Sequence, residues 1–245
     1  MPDLDNRPPA SYRLRMAKTI IVGGYGPGIS NAVAEKFGAA GYSVALVARN
    51  AERLAAGVKA LEAKGVKAAA FPGDLSDPAA TRALVGAVRE KLGPIAVIHW
   101  NVYTSDAGDL LTADSAALHR VFDIGVGSLV AAVQEALPDL KQHKDEAAVL
   151  VTNGGFALPD PNVEAFSVQS NYMGISIANA AKHKLVGLLS AKLKPEGIYV
   201  GEVMVMGVVK GTAWDPGNGT IEPSAVADKF FSLFKSRDEV RTQIS

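Results

Sequence analysis

The segment Ile20-Ile21-Val22-Gly23-Gly24-Tyr25-Gly26-Pro27-Gly28-Ile29-Ser30 is an apolar run that enters a glycine turn and then opens a helix. Glycines in such a turn let the backbone bend tightly and approach a pyrophosphate, whose charge rests on the free N–H groups and positive dipole end of the helix. The spacing predicts a dinucleotide site, with Gly24, Tyr25, Gly28 and Ile29 against the cofactor. The ordinary alternative is a strand-to-helix loop that binds nothing. The end of the next apolar run, Val44–Ala48, refines the chemistry. An NAD site of this kind places an acid there to hold the ribose hydroxyls, whereas this chain has Ala48, Arg49 and Asn50. A guanidinium at that point suits a 2′-phosphate, so NADP is the expected cofactor and Arg49 and Asn50 its expected contacts; a solvated surface arginine is the competing reading.

Composition narrows the remaining chemistry. The chain has 25 basic and 25 acidic residues and no net charge, which favours neither nucleic acid nor an anionic membrane as partner. It has no cysteine, and His99, His119, His143 and His183 form no ligand spacing, so no thiolate nucleophile and no metal site is expected. No apolar run approaches the roughly 20 residues of a membrane span, and Met1–Arg15 has no apolar signal-peptide core. A cytoplasmic protein is the expectation.

The elements that must position these residues alternate. Residues 1–15 are polar, carry three prolines and read as a flexible arm; Met16-Ala17-Lys18 leads straight into the first strand, which makes Met16 a second candidate start. Residues 16–245 read as one domain. The expected order is strand Thr19–Gly23, helix Gly28–Ala40, strand Val44–Ala48, helix Ala51–Lys64, strand Val66–Pro72, a helix capped by Asp77-Pro78, and strand Ile95–Asn101. A helix from about Ser115 to Leu140, strand Ala148–Thr152, a helix from about Ser170 to Leu193 and strand Ile198–Met206 follow. Ile29, Val33 and Phe37, and likewise Leu54, Val58 and Leu61, recur at helical spacing and read as core stripes. Short strands separated by helices require right-handed crossovers, so the fold class is α/β, a single-domain, Rossmann-like, doubly wound parallel sheet. Ligands of such sheets bind beyond the carboxyl ends of the strands, which makes the Gly/Pro-rich stretch between Gly207 and Pro223 a candidate lid. Gly125 and Gly127 each cost a helix up to about 1 kcal/mol relative to alanine, and so predict close packing or a break.

From Ala17 onward the chain resembles the short-chain dehydrogenase/reductase family. The resemblance rests on the Gly24-x-x-x-Gly28-Ile29 turn, Val44-Ala45-Leu46-Val47-Ala48-Arg49-Asn50, Gly73-Asp74-Leu75, Leu92-Gly93-Pro94-Ile95 and Leu193-Lys194-Pro195-Glu196-Gly197-Ile198-Tyr199-Val200. It implies that Asp74 and Leu75 line the adenine and that Asn101 closes the fourth strand beside the adenine ribose. It further implies a homo-oligomer, dimer or tetramer, formed through the helices near 115–140 and 170–193. Ser30 stands where the family's third motif glycine does, and the family's Asn-Asn-Ala-Gly is here Trp100-Asn101-Val102-Tyr103.

At the catalytic positions the chain departs from the family. Counting back from Gly197-Ile198, the family's proton-donating Tyr falls on Ile175 and its activating Lys on Asn179, so the Tyr-x-x-x-Lys pair is absent; the helix Asn falls on Gly125, and the Ser near Asn153. An aliphatic side chain has no proton to give. Asn153 could polarise a carbonyl through its amide, or merely cap the turn after its strand. Tyr172, three residues before Ile175, is the leading candidate for a replacement acid, with Tyr103 and His99 behind it; His99 and Trp100 read foremost as packing at a strand end, and Lys182 and His183 as helix-surface or subunit-interface residues rather than a shifted catalytic lysine. The expected function is a divergent NADP(H)-dependent oxidoreductase on a small carbonyl or alcohol. The alternative is a catalytically silent relative that binds NADP(H) as a sensor, scaffold or structural ligand.

Overall fold

The computed structural model describes residues 18–245; the arm at 1–15 and the start at Met16 lie outside the described residues. Seven strands form one sheet in the order β3-β2-β1-β4-β5-β6-β7, with every pairing parallel. They are β1 (Thr19–Gly23), β2 (Ser43–Ala48), β3 (Ala68–Pro72), β4 (Ile95–Trp100), β5 (Ala148–Gly154), β6 (Tyr199–Val205) and β7 (Arg241–Ile244). The helices are α1 (Ile29–Ala39), α2 (Ala51–Glu62), α3 (Pro78–Leu92), α4 (Ser115–Phe122), α5 (Ser128–Gln142), α6 (Pro161–Gln169), α7 (Met173–Leu193) and α8 (Pro223–Ser236). Strand order reverses between β1 and β4, and this reversal opens the crevice at the carboxyl edge where such sheets bind ligands.

Each sheet face carries its own core. Val33 and Phe37 of α1 meet Phe230 and Phe234 of α8 on one face; Leu129 and Val133 of α5, Val186 of α7 and Trp100 fill the other. The predicted stripes are the ones buried: Ile29, Val33, Phe37, Leu54 and Leu61 face the core, with Val58 at its margin. Asp77 caps α3 as expected, its carboxylate accepting from the Ala79 N–H with Pro78 in the first turn.

The chain departs from the expected elements at informative places. The helix expected over 115–140 is interrupted by a wide, π-type turn at Asp123–Gly127, where the two glycines sit. A Cβ on Gly125 would lie 3.1 Å from the Cβ of Ala178, so the missing side chain lets this turn rest on α7. The run Ser115–Gln142 is, by length and average hydropathy, long and apolar enough to cross a membrane. This differs from the expectation that no apolar run approaches that length; the apolar positions Leu129, Ala132, Val133, Ala136 and Leu140 are buried against the sheet. The helix expected from Ser170 begins at Met173, and α6 and β7 were not foreseen.

The stretch at 207–222 is an organised loop. Val209 bridges Ile221, and the Asp215 carboxylate accepts from the N–H groups of Gly211, Gly217 and Gly219, each at 2.8 Å. Those bonds hold the Asp215 carboxyl below its ordinary pKa.

Candidate active site

The glycine turn closes the amino-terminal half of the crevice. Gly24 has a φ of +77°, and a Cβ there would lie 2.4 Å from the carbonyl oxygen of Asn101, so only glycine fits. The Gly24 and Tyr25 N–H groups both donate to Val47 O, at 3.0 and 2.9 Å, and this fixes the bend. Gly28 opens α1 without any side-chain cap, so the first N–H groups of the helix, Ile29 included, point out of the turn unsatisfied by the chain. This is what a pyrophosphate requires. A Cβ on Gly28 would lie 2.4 Å from the Thr212 methyl, which brings the loop at 207–222 directly over the turn.

The remaining predicted contacts sort into those at the rim and those committed elsewhere. Arg49 is exposed at the end of β2, with no ion pair or side-chain hydrogen bond among the described residues. Asp74 is exposed beyond β3, where one carboxylate oxygen accepts from Ser76 N–H at 3.0 Å and the other is uncommitted. Asn50 caps α2 by accepting from Arg53 N–H at 2.7 Å, which leaves only its amide hydrogens for a ligand. Leu75 buries its side chain in the core. Tyr25 is a correction: its N–H is spent on Val47, and its ring runs under α2 into the hollow left by Gly57, its hydroxyl donating to Asn31 at 2.9 Å. It shapes the turn from beneath and offers no group at the rim. Asn101 is tied to the turn. Its amide donates to Ser30 Oγ at 2.8 Å, and Ser30 Oγ donates to Gly24 O at 2.9 Å, so Asn101 braces the turn. Ser30 is accordingly a bonding link between β4 and the turn, and not only a small residue.

The opposite wall is built by α7, the wide turn and the end of β4. Ile175, Asn179 and Gly125 border one small cavity of about 10 Å³ together with Tyr103 and Lys182. Asn153 sits beside it at 3 % exposure. Its two amide hydrogens go to Asn179 O at 3.0 Å and Glu202 Oε1 at 2.6 Å, and its Oδ1 accepts from Gly154 N–H at 3.1 Å. No N–H remains for a substrate carbonyl, which corrects the expectation that Asn153 polarises one.

Glu202 on β6 is wholly buried and organises the layer below. Its Oε2 accepts from Arg241 Nε at 3.2 Å and lies 2.6 Å from His183 Nδ1. Lys182, read from sequence as a helix-surface or interface residue, is 3 % exposed and faces this layer. Burial lowers its pKa to about 8, against a smaller opposing pull from Glu202. The signal was present in the sequence: Ile175, Ala178 and Lys182 share one helical face. His99 matches the packing expectation, fully buried, edge-on to Phe230 and 3.2 Å from Thr152 Oγ1; desolvation lowers its pKa to about 3, so it stays neutral.

Tyr172 immediately precedes α7 and stands in a train of rings. It meets Phe156 edge-on at 5.6 Å and Trp214 at 5.3 Å, Phe166 stacks on Phe156 at 6.0 Å, and Trp214 meets Tyr103 at 5.7 Å. Its hydroxyl has no partner among the described residues. The ring lies in the mouth of the crevice, while the cavity at Ile175 and Asn179 is bordered by Tyr103 instead. Sequence reading missed Phe156, Phe166 and Trp214, which come from three separate segments that only the fold brings together.

This architecture has recognisable relatives. A short chain dehydrogenase of Pseudocercospora fijiensis is 30 % identical over 186 residues, covering 74 % of this chain and 60 % of that protein. An uncharacterized oxidoreductase of Mycobacterium tuberculosis is 28 % identical over 139 residues, 57 % of this chain and 52 % of its own. The chain thus spans less than two thirds of the length of these curated relatives. In fold it is similar to the NADPH-bound short chain oxidoreductase of Pseudomonas aeruginosa PAO1, described as containing an atypical catalytic center, at 22 % identity and a TM-score of 0.78 over 94 % of this chain and 95 % of that one. The short chain dehydrogenase family model matches residues 18–216, which span the glycine turn, the α7 wall and most of the loop above them, and the chain belongs to that family.

Proposed function

We propose that this chain is an NADP(H)-dependent oxidoreductase acting on a small carbonyl or alcohol substrate. The observation that carries the reading is the uncapped start of α1 behind Gly24, which admits no Cβ, and Gly28, where a Cβ would meet the Thr212 methyl, with the exposed Arg49 at the end of the neighbouring strand. In this reading the α1 N–H groups from Gly28 and Ile29 hold the pyrophosphate, Arg49 holds the 2′-phosphate, with Asn50 beside it, and Asp74 and the Leu75 backbone hold the adenine. When bound, the nicotinamide supplies or accepts hydride; the chain's own part is orientation, exclusion of water and proton transfer.

The mouth favours a planar, apolar substrate. Tyr103, Phe156, Phe166, Tyr172 and Trp214 present rings around it, and Phe166 remains 53 % exposed. Tyr172 is placed among these as a substrate-side ring. A second copy of the chain would pack on the faces of α4 and α7 that expose Phe122 and Leu188.

Calorimetry with NADPH and NADH tests the reading, with micromolar or tighter binding of NADPH expected. No binding of either nucleotide would sink it. One observation favours a silent nucleotide-binding relative instead: Gly125, Ile175 and Asn179 close the wall with groups that give no proton. Tight NADPH binding without hydride transfer to any carbonyl would select that alternative.

A further inference from the structure

A buried ammonium needs a reason, because removal from water disfavours its charge and burial is tolerated only with partners or a task. The Lys182 residue is 3 % exposed and shows no side-chain hydrogen bond or ion pair among the described residues, yet its Nζ is not one of the fully enclosed polar atoms left without a partner. Glu202, the carboxylate that acts on it through space, already serves Asn153, His183 and Arg241. Glu202 is the charged group that bears on Lys182, and Asp123 of the wide turn, which also packs against α7, turns its carboxylate toward Gly127. Side chains on a helix lean toward its amino terminus, so the stem of Lys182 runs toward Asn179 and the carboxyl edge of the sheet. There it borders the cavity lined by Tyr103, Ile175 and Asn179, a space of about 10 Å³, close to the room of one water.

We propose that Lys182 is the proton-transfer group of this site, reaching from one helical turn farther along α7 to the position that the absent tyrosine would serve. The inference rests on the oxidoreductase reading above. In reduction the hydride forms the new C–H bond, the C=O π pair moves onto oxygen, and the Lys182 ammonium gives that oxygen its proton, directly or across one water. The amine left behind regains a proton from solvent. In the reverse direction the neutral amine takes the alcohol proton. A lysine that titrates near neutrality can serve both directions, which one at its ordinary 10.5 cannot do efficiently.

The test uses the full chain, NADPH and benzil, an aromatic 1,2-diketone suited to the ring-lined mouth. Reduction by the parent should fall about ten-fold per pH unit above a midpoint near 8. Lys182→Arg, which keeps the charge but releases no proton near neutral pH, should lower kcat by about 10²–10⁴-fold, leave KM and NADPH affinity within about two-fold, and abolish that pH limb. Retention of the limb in Lys182→Arg overturns the proposal, as does its loss in Tyr103→Phe alone, which would assign the proton to Tyr103. Should Lys182→Arg fail to fold, NMR of the parent carrying isotope-labelled lysine decides: one lysine titrating near 8 and shifting on addition of NADP supports the proposal, and all lysines titrating near 10.5 overturns it. Absence of NADPH binding to the parent sinks the oxidoreductase reading, whereas tight NADPH binding with benzil reduction whose rate is unchanged in Lys182→Arg overturns the role of Lys182 alone.

Discussion

The two walls of the crevice differ in what their function depends on. In the proposed reading the β1–α1–β2 wall would hold its ligand with backbone, through Gly24, Gly28 and the first N–H groups of α1, and the same geometry holds β1 against β4 through Asn101 and Ser30. The α7 wall would act through side chains, and each side chain can be exchanged without breaking a ladder. Here those exchanges fit one another. Gly125 lets the wide turn seat on Ala178, Ile175 fills the space beside it, and Asn179 offers its backbone carbonyl to Asn153. On the proposed reading, the binding geometry is coupled to the fold, whereas the side chains at 125, 175 and 179 stand free of the ladder and pack.

The largest test of that contrast is Gly24→Ala. A φ of +77° costs an L-residue roughly 1–2 kcal/mol, and the added methyl meets backbone at 2.4 Å, for a further 1–3 kcal/mol. Denaturant unfolding should show a loss of about 2–5 kcal/mol together with loss of NADPH binding. Gly26→Ala is the matched control, because nothing lies within 4 Å of its Cβ; stability should stay within about 0.5 kcal/mol. Equal effects of the two changes would mean that the turn is not fixed by backbone approach.

Lys182 supplies the next largest effect, and it sharpens the contrast from the other wall. Its folded pKa of about 8 lies below the ordinary 10.5, so between those values the unfolded chain holds a proton that the folded chain has released. Stability therefore rises with pH across this window, by about 3 kcal/mol, and the full cost of the buried ammonium is present below it. Tyr42 and Tyr199, both raised by burial, lose stability as pH climbs beyond the ordinary tyrosine value, but they contribute equally to parent and variant. The difference in unfolding free energy between the parent and Lys182→Met should thus change by about 3 kcal/mol from about pH 7.5 to 10.5. A constant difference would show an ordinary lysine.

The same division governs what could be read from the sequence. The glycine turn, the core stripes of α1 and α2 and the parallel alternation are local patterns, and local patterns leave periodic traces; β1 and the Asp77 cap lie where those traces put them. The break at Asp123–Gly127 was legible as a cost of two glycines, though not as a wide turn seated on Ala178. Long-range pairings left no trace. The commitment of Asn153 to Glu202, 49 residues away, and of Arg241 to both Glu202 and His183 appears only once β5, β6 and β7 lie side by side. The strand β7 itself is four residues, half exposed, beyond the last apolar helix, too short for alternation to mark.

Arg49 tests whether the backbone-built wall also chooses between cofactors by side chain. A hydrogen bond to a charged group is worth about 1.5–3 kcal/mol, less where solvent screens it, so Arg49→Ala should reduce a preference for NADPH over NADH by about ten-fold. NADH affinity should be unchanged. The preference should also shrink with added salt in the parent, because Arg49 is exposed. Calorimetry with both nucleotides at low and moderate ionic strength reads all three outcomes, and an unchanged preference in the variant would assign the 2′-phosphate to another group.

The smallest expected effect belongs to Tyr172. Its ring is packed edge-on against Phe156 and Trp214, contacts that phenylalanine reproduces, and its hydroxyl has no partner among the described residues. Tyr172→Phe should therefore leave the melting temperature within a degree or two and benzil turnover within about two-fold. Trp214→Ala removes the ring that joins Tyr172 to Tyr103 across the loop at 207–222. Aromatic pairs contribute roughly 0.5–1.5 kcal/mol each beyond their buried area, so losing two of them should loosen the loop and raise KM several-fold, with a smaller change in kcat. That split separates a mouth that positions substrate from an acid that acts on it. If Tyr172→Phe instead lowered turnover by about a hundred-fold or more, at constant KM and NADPH affinity, the phenol would be the proton donor and the chemistry would lie at the mouth. The α7 wall would then be a structural partition, and the buried charge of Lys182 would have to be explained by the Glu202 layer alone.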